Sequence, residues 1–75
     1  MKVLVRYFAF LREEKGCNEE WIELLESVSI GELFVRLFER PTSGIRFAIN
    51  QAYVNADAVL VDGDEVAFIP PLGGG

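Results

Sequence analysis

The most distinctive chemistry in this sequence lies in its last six residues, Pro70-Pro71-Leu72-Gly73-Gly74-Gly75. Glycine has no Cβ, so an extended Gly-Gly strand is the thinnest peptide that can pass down a channel into another protein's active site. The reactive group of such a segment is the α-carboxylate of Gly75. A carboxylate anion is a poor electrophile and needs activation, most simply as an acyl-adenylate from ATP, which makes the protein a substrate carrier. The glycines alone describe a frayed terminus equally well. Asp62 and Asp64 form a second candidate, a carboxylate pair around Gly63, but two carboxylates fall short of the ligand number of a Mg²⁺ or Ca²⁺ site and read as turn chemistry. Cys17 could carry a thiol function, yet only Lys15 is near it in sequence and nothing implies activation.

The composition narrows the chemistry further. No histidine is present, which removes the usual metal ligand, the usual general base and any Ser/His or Cys/His pair. A single cysteine allows no internal disulfide and points to the cytoplasm. Twelve acidic against seven basic residues give a net charge of -5, which disfavours nucleic acid and anionic membrane and favours a positively charged protein partner. Neither a membrane span nor a signal peptide can be placed. At 75 residues with 51% apolar content, one small packed domain is expected.

The elements that position the tail can be read from periodicity. Met1 to Leu11 reads as a strand, with Val3, Val5 and Tyr7 at one parity and Lys2, Leu4, Arg6, Phe8 and Phe10 at the other. Arg12 to Gly16 reads as a turn, and Glu20 to Leu24 as the return strand of a hairpin. Ser29 with Glu32 forms a capping box, after which Ile30, Leu33, Phe34, Leu37 and Phe38 give the apolar stripe of one main helix ending by Arg40. Glu32 and Arg36 should pair on its exposed side. Phe47 to Asn50, Tyr53-Val54, Val59 to Val61 and Glu65 to Ile69 follow as short strands, the last two joined at Asp62-Gly63-Asp64. One helix can cover one face of such a sheet, so the fold class is two-layer α+β. The domain occupies residues 1–69, and the prolines open an extended tail over 70–75.

Three runs resemble the β-grasp, ubiquitin-like sulfur carriers, and most closely the MoaD-like small subunits of molybdopterin synthase. They are Tyr7-Phe8-Ala9 with Leu11-Arg12-Glu13, Ala48-Ile49-Asn50-Gln51, and Asp62-Gly63-Asp64-Glu65-Val66-Ala67-Phe68-Ile69-Pro70-Pro71 running into the glycines. The resemblance implies a mixed sheet and a terminal carboxylate that a ubiquitin-activating-type enzyme adenylates with ATP. A sulfurtransferase then supplies the sulfur that makes it a thiocarboxylate, and a large synthase subunit carries the catalytic groups and passes that sulfur to a pyranopterin precursor. Carried over, the reactive residues are Gly75 and Gly74, with no bound cofactor or metal. Gly73 departs from the family, which more usually has a small non-glycine residue there, and the middle of the chain is shorter than in many relatives. The related ThiS-like carriers share Ala-Ile-Asn-Gln and Asp-Gly-Asp but are generally shorter at the front and do not resemble the Pro70-Pro71 approach.

Alternation supplies an independent sign of a partner. If Val3, Val5, Val66 and Phe68 face the helix, then Leu4, Phe8 and Ile69 face outward on the uncovered side. A patch of Phe8, Tyr53 and Ile69, continued by Pro70, Pro71, Leu72 and Gly73, would anchor the domain while the tail threads inward, and the resemblance places a subunit contact there. The same residues could simply cover a small sheet. Trp21 falls on the acidic outer side, as a contact or as sheet cover. Other carriers of this kind, for thiazole synthesis, tRNA thiolation or lysine conjugation, remain open at this point, as does a noncatalytic interaction module.

Overall fold

In the computed structural model, which describes residues 1–71, the chain runs β1 (Lys2–Tyr7), α1 (Ala9–Lys15), β2 (Glu19–Glu23), α2 (Ile30–Phe38), β3 (Arg46–Ile49), β4 (Ala52–Val54) and β5 (Glu65–Ile69). The strands form one sheet in the order β2-β1-β5-β3-β4, antiparallel except for the central β1–β5 pair. One face packs against the helices and the other is uncovered, which is the α+β β-grasp arrangement. Among the described residues no helix is long and apolar enough to cross a membrane.

Period-two alternation decides which side chains form the core. Val3, Val5, Val66 and Phe68 are fully buried, and Tyr7 nearly so, beneath α2. From α2, Ile30, Leu33, Phe34 and Phe38 complete the layer. Phe34 stacks on Phe38 at 4.9 Å between ring centres and meets Phe68 edge-on at 5.2 Å. Ser29 caps α2 by accepting the Glu32 amide N–H at 3.1 Å, and Arg36 pairs with Glu32 at 3.1 Å. Glu39, in the left-handed region at φ 54, ends the helix. Its N-terminus lies against the loop after β4: Gly31 donates its amide to the Ala56 carbonyl at 2.8 Å, and a Cβ at Gly31 would sit 2.8 Å from the Cβ of Ala56.

The first half of the chain differs from the sequence reading in one element. The strand stops at Tyr7, and the residues expected to finish it and turn instead form α1. Ala9, with φ 51, breaks the extended path, Leu11 buries into the core, and Gly16 ends the helix at φ 75. β1 and β2 still pair antiparallel, with a helix as their connection. Lys15 joins the two helices by donating to the Leu37 carbonyl at 3.0 Å, and Arg40 pairs with Glu14.

Val59 to Val61 is likewise not a strand: Val59 makes one bridge to Ser29 and Leu60 is buried below it. The expected Asp-Gly-Asp turn is present, with Gly63 at φ 88.

Candidate functional site

The uncovered face is built by β1, β5, β3 and β4. Register places Arg6 opposite Ala67, Ala67 opposite Ala48 and Ala48 opposite Tyr53, so a row of two alanines lies between two large side chains. Methyl groups make a low floor and their neighbours make walls. The result is a groove of about 250 Å³ whose sides include Arg6, Phe8, Tyr53, Glu65 and Ile69. Phe8, Tyr53 and Ile69, picked out from sequence as one patch, are brought together here. Tyr53 is 69% and Phe8 38% exposed, which leaves substantial apolar surface facing solvent.

The groove leads toward the tail. Ile69 is the last residue of β5, and Tyr53 and Ile69 also line an adjoining hollow of about 320 Å³ with Gly44, Arg46, Pro70 and Pro71. Pro70 is buried and Pro71 exposed, so the chain leaves the sheet at the edge of the patch. Because β5 lies between β1 and β3, the segment that carries the tail is anchored by ladders on both sides. The expectations for Leu72, Gly73, Gly74 and Gly75 lie outside the described residues.

Charge is arranged unevenly on this face. Arg6 pairs with Glu65 at 3.0 Å and reaches Glu19 at 3.6 Å, while its guanidinium stands 6.0 Å from the centre of the Phe8 ring. Arg46 stands 5.9 Å from the centre of the Tyr53 ring. On the same face, at the β2 edge of the sheet, Trp21 is 60% exposed opposite Leu4 and outside the groove.

The remaining candidates have structural work. Asp62 accepts the Lys2 amide at 2.8 Å, and the buried Asp64 accepts the Val61 amide at 2.8 Å and the Asn50 side-chain amide at 3.0 Å, so this pair holds a turn. Cys17 is half-buried against the core. Tyr7 donates to Glu20 at 2.6 Å, and burial together with that carboxylate pushes its phenol well above the ordinary range.

Comparison with known proteins agrees with this geometry. Residues 5–75 match the ThiS family. The chain belongs to that family. Within it, a Chlamydomonas reinhardtii protein named molybdopterin synthase sulfur carrier subunit is 39% identical, with all of both chains covered. Of solved structures, the small archaeal modifier protein SAMP1 from Haloferax volcanii shares the fold at a TM-score of 0.81 and 19% identity, again over all of both chains. A chain of the protein–protein complex of subunits 1 and 2 of the molybdopterin-converting factor from Helicobacter pylori 26695 matches at a TM-score of 0.66 and 27% identity, with all of both chains covered.

One residue of this ThiS-family chain was missed as a positioning group. Asn50 and Gln51 both have positive φ, 51 and 70, and form the two-residue loop between β3 and β4. Besides bonding Asp64, the Asn50 side chain accepts the Glu65 amide at 3.0 Å, tying that loop to the start of β5. Asn followed by Gln between two short apolar runs was the available signal, since Asn tolerates the left-handed region.

Proposed function

We propose that the chain is the sulfur carrier of a molybdopterin synthase, with residues 1–69 as its docking domain, residues 70–75 as its tail and the carboxylate of Gly75 as its reactive group. The observation that carries this reading is the exposed groove of Phe8, Tyr53 and Ile69 adjoining the root of the glycine segment, in a family member matched end to end by proteins named as that carrier. The large synthase subunit is the partner that docks on the groove, and Pro70, Pro71, Leu72 and Gly73 lead the tail into it. The protein works in the cytoplasm.

The chemistry follows from what a carboxylate needs. In a ubiquitin-activating-type enzyme, the Gly75 carboxylate attacks the α-phosphorus of ATP and pyrophosphate leaves. Sulfur at the sulfide level, delivered by a sulfurtransferase, then displaces AMP to give the thiocarboxylate. Within the large subunit that sulfur attacks a carbon of the pyranopterin precursor and displaces an oxygen leaving group, which joins the two as a thioester. Water then attacks the Gly75 carbonyl, the C–S bond to Gly75 breaks, the sulfur stays on the pterin as a thiolate and the carboxylate is restored. Gly74 and Gly75 keep the path narrow enough for the terminal carbonyl to reach both active sites.

The test is to delete Gly75, or to add one residue after it, and assay pyrophosphate release and molybdopterin formation in a reconstituted system. Both are expected to be lost while the thermal midpoint stays unchanged. The unaltered chain should gain the mass of sulfur replacing one oxygen. A blocked terminus that still supports molybdopterin formation would refute the mechanism. A thiocarboxylated chain that feeds only thiazole synthesis, tRNA thiolation or lysine conjugation would refute the assignment of pathway.

A further inference from the structure

Arg46 opens β3 and is exposed. Its Cα partner across the ladder is Ile69, so it stands beside the last strand residue before the prolines. It lines the hollow with Pro70 and Pro71, and also a wider groove of about 510 Å³ on the other side of Tyr53 that includes Thr42, Ile45 and Asn55. Its position therefore bridges two concave surfaces at the root of the tail.

Three of the other arginines are paired. Arg6, Arg36 and Arg40 each meet a glutamate, whereas Arg46, like Arg12 on α1, has no ion-pair partner among the described residues. The Arg46 guanidinium stands beside the ring of Tyr53. A guanidinium that is taken out of water by a docking partner without a counter-charge is costly, and a planar carboxylate satisfies its N–H groups in pairs.

We propose that Arg46 is a specificity-determining docking residue, which takes an aspartate or glutamate of the large subunit at the mouth where the tail enters. This rests on the carrier reading and adds to it the charge pattern of the partner. The chain's net charge of -5 favours a basic partner overall. A carboxylate placed opposite Arg46 is the local exception to that rule, and an exception of this kind fixes orientation and register better than uniform attraction does.

The experiment measures affinity of the full chain for the large subunit of the same organism, with Arg46→Glu and Arg46→Lys alongside the unaltered protein. Arg46→Glu is expected to weaken binding by about tenfold or more, and Arg46→Lys by less because the charge remains without the fork. Reversing single acidic residues on the large subunit to lysine should restore the Arg46→Glu complex at one position. Unchanged thermal midpoints keep the comparison free of folding effects. Wild-type affinity in Arg46→Glu, or no rescuing position in the acidic scan, overturns the proposal. So does a variant that loses adenylation while binding the large subunit normally, since Arg46 would then serve another partner. Failure of the unaltered chain to bind the large subunit would instead refute the carrier reading itself.

Discussion

Replacing Ile69 by aspartate separates docking from folding. Ile69 ends β5 with its side chain half-buried on the uncovered face, where it contributes to both the groove and the hollow beside Pro70 and Pro71. In the free domain the new carboxylate would remain accessible to water and would lie across the ladder from Arg46, which offers a counter-charge. The fold should therefore tolerate it, with a thermal midpoint within a few degrees of the parent. In the complex the balance reverses. An apolar anchor near the centre of an interface is worth about 2 kcal/mol or more, so the dissociation constant should rise by at least about thirtyfold. Desolvation of the new carboxylate adds to the loss, and any pairing with Arg46 removes that residue from its partner. Titration calorimetry against the large subunit reads the change directly. Because Gly75 remains intact, excess large subunit should recover part of the turnover. Wild-type affinity would show that Ile69 is inert sheet cover and that the groove is not the docking surface.

Two further predictions concern the domain itself. Phe34→Ala removes a fully buried ring that contacts Phe38, Phe47 and Phe68, and should cost about 3 to 5 kcal/mol, close to the whole stability of so small a domain; a circular-dichroism melt that barely moves would refute the core assignment. Leu37, which shares the predicted stripe, is only half-buried and should cost less on truncation to alanine. Tyr7 has its phenol raised by burial and by Glu20, so the neutral form is the one the fold stabilises. That contribution is complete below the unfolded-state pKa of about 10 and is lost as pH rises above it, by about 1.4 kcal/mol per pH unit until the folded group also ionises. Tyr7→Phe should be less stable at neutral pH but show a shallower alkaline decline in denaturant titrations; parallel slopes would refute the assignment.

The parts of this structure legible in sequence are those where one physical rule acts alone. Alternation in β1 and β5 placed Val3, Val5, Val66 and Phe68 inside and Phe8 and Ile69 outside, because a strand buried on one face has no other way to hide its apolar residues. The capping box at Ser29 located the main helix for a similar reason. Reading failed at α1, where two aromatic residues suggested a continuing strand and only Leu11 turns into the core. Residues 11 to 15 are good helix formers followed by glycine, and that was the competing signal. It also failed at Val59 to Val61, whose β-branched residues suit a strand but whose backbone meets Ser27, Val28 and Ser29 instead of a sheet neighbour. Asn50 was hidden because its part depends on meeting Asp64 and Glu65 across the fold, a proximity that spacing alone does not reveal.

Net charge and the docking face act over different distances, and this resolves an apparent conflict between an acidic protein and an unpaired arginine at its contact surface. At physiological ionic strength exposed charges are screened beyond about 8 Å, so the excess of carboxylates governs approach and encounter rate. Once surfaces meet, water leaves the groove and only immediate neighbours count. Near the β2 side, Arg6 already has Glu19 and Glu65, so that region can be covered without importing a counter-charge. Near the tail, Arg46 has the ring of Tyr53 beside it and needs a carboxylate from outside. A partner that is basic at long range but acidic at that one point would be drawn in generally and seated in one orientation. Seating matters more here than in an ordinary complex, because the tail leaves from Ile69 through Pro70 and Pro71 at the edge of the same patch. A rotation about the groove would swing the root of the tail away from the channel it must enter, and no gain in apolar contact could compensate for that.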